Sequence, residues 1–456
     1  MPSPSLESLS LTALKKAEKL GADQAEAFAI DTHTRSVYIE SGKPRLADDK
    51  SETGMGLKAC LGKHVGFSSG TIDRKFLDEI VREALSIART TDKDPNFRSL
   101  PNGKKLTGHV EGSFSKETAN ITNDALVASA MSAVKAAEQT ENVKVPLGLI
   151  RLVAYSVNVV NSLGISFNHK GTMVFTYFKS KAAKGDKAGE GIEKAWSTNI
   201  ATIDFEEMGK KAAEKALRTL KAGSFREEKR LTALIAPVEL EGMLYPLMFA
   251  TNSEQVNKKR SPWASKLGEK VGSENFTVWD DGRYSGGIRS ALADDEGVET
   301  ARKTIIENGR LRSFIYDSYN ANIAGTKAAG NAFRRGTRGL EAAFALPAAC
   351  AYSNMVVKPG NKSLDNLIAS IDKGILIEAF ASPEVNPITG GFGCEIRDAT
   401  LIEKGSLTKP VKHALLTGNM YEALLNIAAI GSSFKVVENT VLPPMAFSGV
   451  MLVGQK

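Results

Sequence analysis

The sequence predicts an α+β protein with an N-terminal α/β portion and a β-rich C-terminal domain, and three observations predict it. Residues 11–20 and 73–90 carry apolar side chains at helical spacing, with Phe76, Ile80, Ala84 and Ile87 on one face of the second segment. Between them, residues 35–40, 56–61 and 64–69 alternate as strands do, the last two joined by Gly62-Lys63, a glycine-first pair suited to a tight hairpin. Far downstream, Thr304-Ile305-Ile306-Glu307-Asn308-Gly309-Arg310-Leu311 is echoed by Thr400-Leu401-Ile402-Glu403-Lys404-Gly405-Ser406-Leu407, each with a glycine that accepts positive φ at the turn.

At 456 residues the chain exceeds the usual size of one hydrophobic core. Residues 1–95 form the first α/β unit, closed by a polar linker at 92–105 that contains Pro95 and Pro101. Residues 106–225 form a central domain. An Ala-rich helix is expected over 115–140, and antiparallel strands over 149–161 and 165–180, with turns at 162–164 and 169–171. Asp204 and Glu207 have the spacing of a capping box, opening a helix that ends near Gly223. Residues 226–456 form the C-terminal domain. It begins with a strand at 231–236 and a helix from 238, and carries later helices at 364–373 and 419–430.

Composition removes several function classes. With 42% hydrophobic and 24% charged residues the chain reads as globular, and no stretch approaches the roughly 20 apolar residues of a membrane span. The first 20 residues lack the pattern of a secretory signal, so a cytoplasmic location is expected and no membrane partner. The formal charge of +7 is spread among nearly as many acids, which gives little reason to expect nucleic acid. Cys60, Cys350 and Cys394 form no CxxC pair and read as reduced core thiols.

Four places carry residues with chemical potential. Gly66-Phe67-Ser68-Ser69-Gly70 matches the G-x-S-x-G pattern, yet Ser68 closes a short hairpin with no oxyanion loop before it, so a structural serine is the expectation. His33, His64, His109, His169 and His413 are isolated, and no helix bears the paired imidazoles of a zinc site. Asp294-Asp295-Glu296, close after Asp280-Asp281-Gly282, is either a hard-cation site or a solvated acidic turn completed by Gly297. The run 330–339, with Asn331, Arg334 and Arg335, reads as a mobile basic loop whose guanidinium forks suit a peptide carboxylate.

The C-terminal segments, taken in order, resemble the TldD/PmbA (TldD/TldE) metallopeptidase family. The resemblance is carried by Ala293-Asp294-Asp295-Glu296-Gly297, Ile306-Glu307-Asn308-Gly309-Arg310-Leu311, Gly330-Asn331, Asn386-Pro387-Ile388-Thr389-Gly390-Gly391-Phe392, Thr417-Gly418-Asn419 and the run 426–431. Weaker likeness extends upstream through 21–26 and 54–70, so it spans nearly the whole chain. In the TldD branch a His-Glu-x-x-x-His helix and a late cysteine hold zinc. Here the equivalent residues 242–252 contain no histidine, Glu239 and Glu241 precede them, Pro246 interrupts them, and no cysteine follows Gly431. The likeness is therefore to the PmbA/TldE branch. It implies no catalytic residue, no metal and no cofactor in this chain, and a zinc-bearing TldD-like paralogue as heterodimer partner. It further implies a shared channel that takes unfolded peptide, for which Arg334, Arg335, Asn331, Asp294 and Asp295 are the candidate peptide-binding residues. The alternative from another class is a non-enzymatic homodimeric peptide-binding scaffold, or a regulator of a DNA topoisomerase complex.

Overall fold

The computed structural model describes residues 5–72, 76–334 and 340–454. The expected first two domains share one seven-stranded sheet. Its strands run in the order His64–Thr71, Lys43–Leu61, Gln24–Glu40, Val143–Asn161 and Ser166–Lys184, and the last pairs with both Lys187–Ser197 and the short Lys105–Leu106. The strand Gln24–Glu40 is the seam, antiparallel to Lys43–Leu61 on one side and to Val143–Asn161 on the other. Strand periodicity then sorts its side chains. Ala25, Ala27 and Ala29 pack under the helices Leu6–Lys19 and Leu77–Thr90, and Val37 and Ile39 under Asn123–Glu138 and Phe205–Lys221. Phe28 and Ile30 point to the opposite face, where they meet Leu340, Ala343 and Phe344 of the C-terminal domain.

Several expected boundaries move, for local reasons. The strand expected at 35–40 begins at Gln24, because its Ala-rich first half, although poor in β-branched residues, lies where small side chains admit helices. The helix expected at 115–140 divides into Lys116–Asn120 and Asn123–Glu138, and Thr122 caps the second by accepting a hydrogen bond from the Ala125 N–H at 3.2 Å. No turn forms at 169–171. The strand Ser166–Lys184 runs straight through, and Gly171 makes room for a neighbouring ring, since a Cβ there would lie 2.3 Å from the Tyr155 side chain. The Asp204 cap is present, its carboxylate accepting from the Glu207 N–H at 2.9 Å, but Gly223 opens a two-residue strand instead of stopping the helix in a left-handed conformation.

In the C-terminal domain five strands close on themselves: Lys373–Phe380, Glu228–Ile235, Met445–Gly454, Ala414–Asn419 and Gly391–Glu403, the last pairing back to the first. Closure leaves no free edge around most of this barrel, and Ala233, Ile235, Ile375, Ile377, Ile396, Ala414 and Leu416 belong to the largest core. A second, six-stranded sheet contains Arg302–Glu307 and Arg310–Leu311, turned by Asn308 and Gly309 at φ 47° and 75°. The echoing turn at Lys404-Gly405 has φ 50° and 74°, so both hairpins form where the sequence places them. The helices expected at 364–373 and 419–430 are shorter, Leu364–Ala369 and Met420–Leu425, and each gives way to a strand. No described helix is long and apolar enough to cross a membrane.

Candidate functional site

The segment that resembles the metal-binding helix is broken in two, Pro237–Met243 and Tyr245–Ala250, with Leu244 between them at φ −87° and ψ 1°. Pro246 has no N–H to offer the carbonyl of Gly242, which is why a continuous helix cannot pass this point. The two short helices form one wall of an open groove of about 690 Å3, to which Glu241, Gly242 and Tyr245 contribute. Residues 383–386 form the other wall and Gly391–Gly393 the floor.

The family motif at 386–392 builds that wall. Asn386 Oδ1 accepts from the N–H groups of Ile388 (3.0 Å) and Thr389 (2.9 Å), curling the chain into a tight loop. Tyr421 then fastens the loop to the second short helix, its hydroxyl lying 2.6 Å from the Pro387 carbonyl and 3.1 Å from that of Pro246. Asn419 serves both sides, accepting from the Tyr421 N–H at 2.9 Å as a helix cap and donating to the Thr389 carbonyl at 2.7 Å.

The floor exposes backbone. The carbonyls of Gly391 and Glu395 accept from the N–H groups of Asn386 (2.9 Å) and Ala381 (2.8 Å), so alternation aims the N–H and C=O of Gly393 to the same side. There the chain swings outward through 382–384; the isolated antiparallel bridge Val385–Phe392 sets the Gly393 N–H opposite the Glu384 carbonyl, and among the described residues the Gly393 carbonyl takes no hydrogen bond on that side. Gly393 is exposed, and a Cβ added to it would meet nothing closer than Thr417 Cγ2 at 4.0 Å. The groove thus presents a short stretch of strand edge that is only partly paired, with no side chain at Gly393.

The donors near the groove do not make a zinc site. Glu239 is buried, and its carboxylate accepts from the Phe380 N–H at 3.0 Å; burial raises its pKa. Glu241 is pushed up to about 7, first by burial and then by the charge of Glu438. Cys394 is buried against Met243 Sδ at 3.7 Å, and burial raises its thiol to about 11. No imidazole approaches, and no group of three or more His, Cys, Asp or Glu among the described residues is arranged to hold a metal ion. Glu241, Tyr245, Glu384 and Gly393 were not singled out from sequence as site residues, although the 386–392 motif lies beside them.

The predicted peptide-binding residues lie elsewhere, where the C-terminal domain meets the seven-stranded sheet. Asp294 is buried, its Oδ1 accepting from the N–H groups of Glu296 (3.0 Å) and Val298 (2.9 Å) and its Oδ2 from Ala332 (2.9 Å). Burial, then the Glu296 charge, raise its pKa well above its ordinary value. The cluster is therefore neither a solvated turn nor a set of free cation ligands, although Gly297 does supply the turn at φ 78°. Asn331 is fully buried, donating to Asp280 Oδ2 (2.6 Å) and accepting from Lys303 (2.7 Å).

Arg334 is likewise interior, 1% exposed. Its guanidinium donates to Glu26 Oε1 at 2.7 Å and to the Leu346 carbonyl at 2.8 Å, and stacks on Phe28 with its central carbon 4.8 Å from the ring centre. Its N–H donates to Asp295, which is half-buried, at 2.6 Å. Lys58 completes the knot, 3.7 Å from Glu26 and 3.5 Å from Glu296. Arg334 thus ties the C-terminal domain to the seven-stranded sheet, Asp295 fixes its backbone, and Asp294 and Asn331 brace the loop from within the C-terminal domain; the mobile-loop expectation does not apply at Arg334. Arg335 lies outside the described residues.

The other candidates take structural positions. Ser68 sits within its strand, paired with Leu57, and its hydroxyl donates to Glu83 at 2.6 Å without a histidine partner. Of the histidines, His33 pairs with Asp49, His64 Nδ1 bonds the Thr91 carbonyl at 2.6 Å, and His169 stacks beside Phe167. All three cysteines are free and buried.

Comparison with known proteins agrees with this architecture. Models of the PmbA/TldA metallopeptidase family match three stretches: domain 1 at residues 25–88, the central domain at 116–220 and the C-terminal domain at 228–454. The chain is 26% identical over 414 residues to an uncharacterized protein of Methanocaldococcus jannaschii, covering 90% of this chain and 92% of that one. It is 24% identical over 457 residues to the metalloprotease PmbA of Escherichia coli O157:H7, covering 94% and 93%. The crystal structure of TldE from Thermococcus kodakarensis superposes with a TM-score of 0.90 at 24% identity, over 98% of this chain and 100% of that one. The barrel, the shared sheet and the ordered motifs at 293–297, 386–392 and 417–419 are therefore those of a member of the PmbA/TldD (TldD/TldE) metallopeptidase family.

Proposed function

We propose that this chain is the non-zinc subunit of a TldD/TldE-type peptidase and holds extended, unfolded peptide for hydrolysis by a zinc-bearing TldD-like partner in the cytoplasm. The observation that carries the reading is the groove at Gly393. It combines a strand edge that is only partly paired with neighbouring short helices that contain no histidine. An unfolded peptide adds main-chain hydrogen bonds to such an edge with little sequence preference, and the bare glycine admits its backbone closely. Glu241, poised near neutrality, offers the peptide a hydrogen-bond donor when protonated and an acceptor when charged. Asp294, Asn331 and Arg334 act away from this surface, as supports of the C-terminal domain and of its contact with the seven-stranded sheet. No hydrolytic step is assigned to this chain.

The test is purification of the native chain with whatever co-elutes in equal amount, followed by metal analysis and a peptide-cleavage assay. The reading requires a zinc-bearing relative and cleavage that needs both chains. Recovery of a zinc-free homodimer without peptidase activity favours the scaffold role.

A further inference from the structure

A second cavity, of about 520 Å3, lies between the linker that follows the helix Leu77–Thr90 and the helix Ser318–Ala324, and shares no lining residue with the groove at Gly393. Phe97 and Leu100 line it from the linker and Ile323 from the facing helix. The Tyr319 side chain bonds Asp94 and Asn96 across its mouth, tying helix to linker. Its size and its position between domains are those of a small-molecule site.

Its polar floor is incompletely matched. Asp317 is 5% exposed and lines the cavity. One oxygen, Oδ1, accepts from the N–H (2.7 Å) and the side-chain amide (2.9 Å) of Asn320; the other, Oδ2, has no partner among the described residues. The neighbouring acid cannot share a cation with it, because Glu296 is already engaged by Lys58 at 3.5 Å and by the Ser318 N–H at 3.2 Å. Burial, then Glu296, push Asp317 up to about 6, so near neutral pH it remains mostly charged and lacks a counter-ion. A buried carboxylate in that condition favours any ligand that brings a positive charge. Among the described residues no three acidic groups converge as a hard divalent ion requires, whereas an ammonium needs one acceptor and its apolar stem suits Phe97, Leu100 and Ile323.

We propose that this interdomain cavity binds the α-ammonium of an apolar amino acid or of a peptide's amino-terminal residue, with Asp317 Oδ2 accepting from the amine and Phe97, Leu100 and Ile323 packing the side chain. The site stands independently of whether the Gly393 groove carries peptide.

Calorimetric titration of the full-length chain with leucinamide, N-acetyl-leucinamide and trileucine tests it. Leucinamide or trileucine binds and the acetylated probe, which has lost the charged amine, binds at least tenfold more weakly. Tighter binding of trileucine than of leucinamide assigns the site to chain ends, and the reverse assigns it to free amino acids. Asp317→Asn weakens binding at least tenfold while preserving the fold, because asparagine caps a helix as well as aspartate does. Ile323→Trp, at an exposed lining position, narrows the cavity and weakens binding without touching the carboxylate. Equal affinity for the acetylated probe, unchanged affinity in Asp317→Asn, or no binding of any probe at millimolar concentration overturns the proposal.

Discussion

The groove at Gly393 and the knot around Arg334 divide the molecule's polar chemistry in opposite ways. The knot gathers Glu26, Lys58, Arg334, Glu296 and Asp295 within a few ångströms, and nearly all of that charge is buried and mutually engaged. The groove has few charges and is open, and its distinguishing feature is an exposed glycine on a partly paired strand edge. In this chain dense charge therefore marks cohesion, and bare backbone marks the surface available to a ligand.

The largest effect expected from breaking this contrast lies in the knot. Arg334→Met leaves buried Glu26 with only the longer contact to Lys58, 3.7 Å away, and a loss of about 3 kcal/mol is expected in chemical denaturation. Adding Glu26→Leu to Arg334→Met recovers a large part of that loss, since no unpaired charge remains; a double variant as unstable as the single one contradicts the assignment.

On the groove side, Glu241→Gln sharpens the comparison through pH. The carboxyl is raised from 4.5 to about 7, so the folded state holds its proton more tightly than the unfolded chain. The stability this group contributes is complete below about pH 4.5 and is lost as pH rises through 7. The glutamine variant, fixed as neutral, is expected to match the parent at pH 4 and to exceed it at pH 8 by up to about 3 kcal/mol, less whatever partial exposure screens away. Equal melting temperatures at pH 8 would place Glu241 in a more solvated setting.

Smaller effects follow at the floor and at the serine. Gly393→Val puts a branched side chain in front of the open edge and is expected to lower peptide turnover by the assembled complex about tenfold, worth about 1.4 kcal/mol, with melting temperature unchanged. Ser68→Ala removes one hydrogen bond to Glu83 and is expected to cost about 1 kcal/mol of stability and no activity.

Much of the fold was legible because its signals are local. The Asp204 cap, the turns at Asn308-Gly309 and Lys404-Gly405 and the helix expected over 73–90 and found at Leu77–Thr90 depend on residues within a few positions of one another. The buried face of that helix, however, is centred on Ile80, Val81 and Ala84 and leaves Phe76 and Ile87, expected on it, exposed. The Ala-rich half of Gln24–Glu40 and the continuous strand through Gly171 were not legible, because distant neighbours decide them, helices in the first case and the Tyr155 ring in the second. At the site, the loss of imidazoles from 242–252 could be read directly from the sequence. The Gly393 groove could not, since its signal is an interrupted pairing, which appears only when residues 381–386 are placed beside 391–395. Arg334 misled for the converse reason: a basic residue among glycines looks solvated until Glu26, 308 positions away, is seen to receive it.

That separation also sets an order of events during synthesis. Glu26 leaves the ribosome early, and at the usual 5–20 residues per second its arginine follows roughly 15–60 s later. Over the same interval the seam strand Gln24–Glu40 waits for Val143–Asn161 to cover its second edge. The ion pair is thus a late stitch, formed only after most of the chain exists, and until then the counter-charge within reach of Glu26 is Lys58, opposite it on the neighbouring strand.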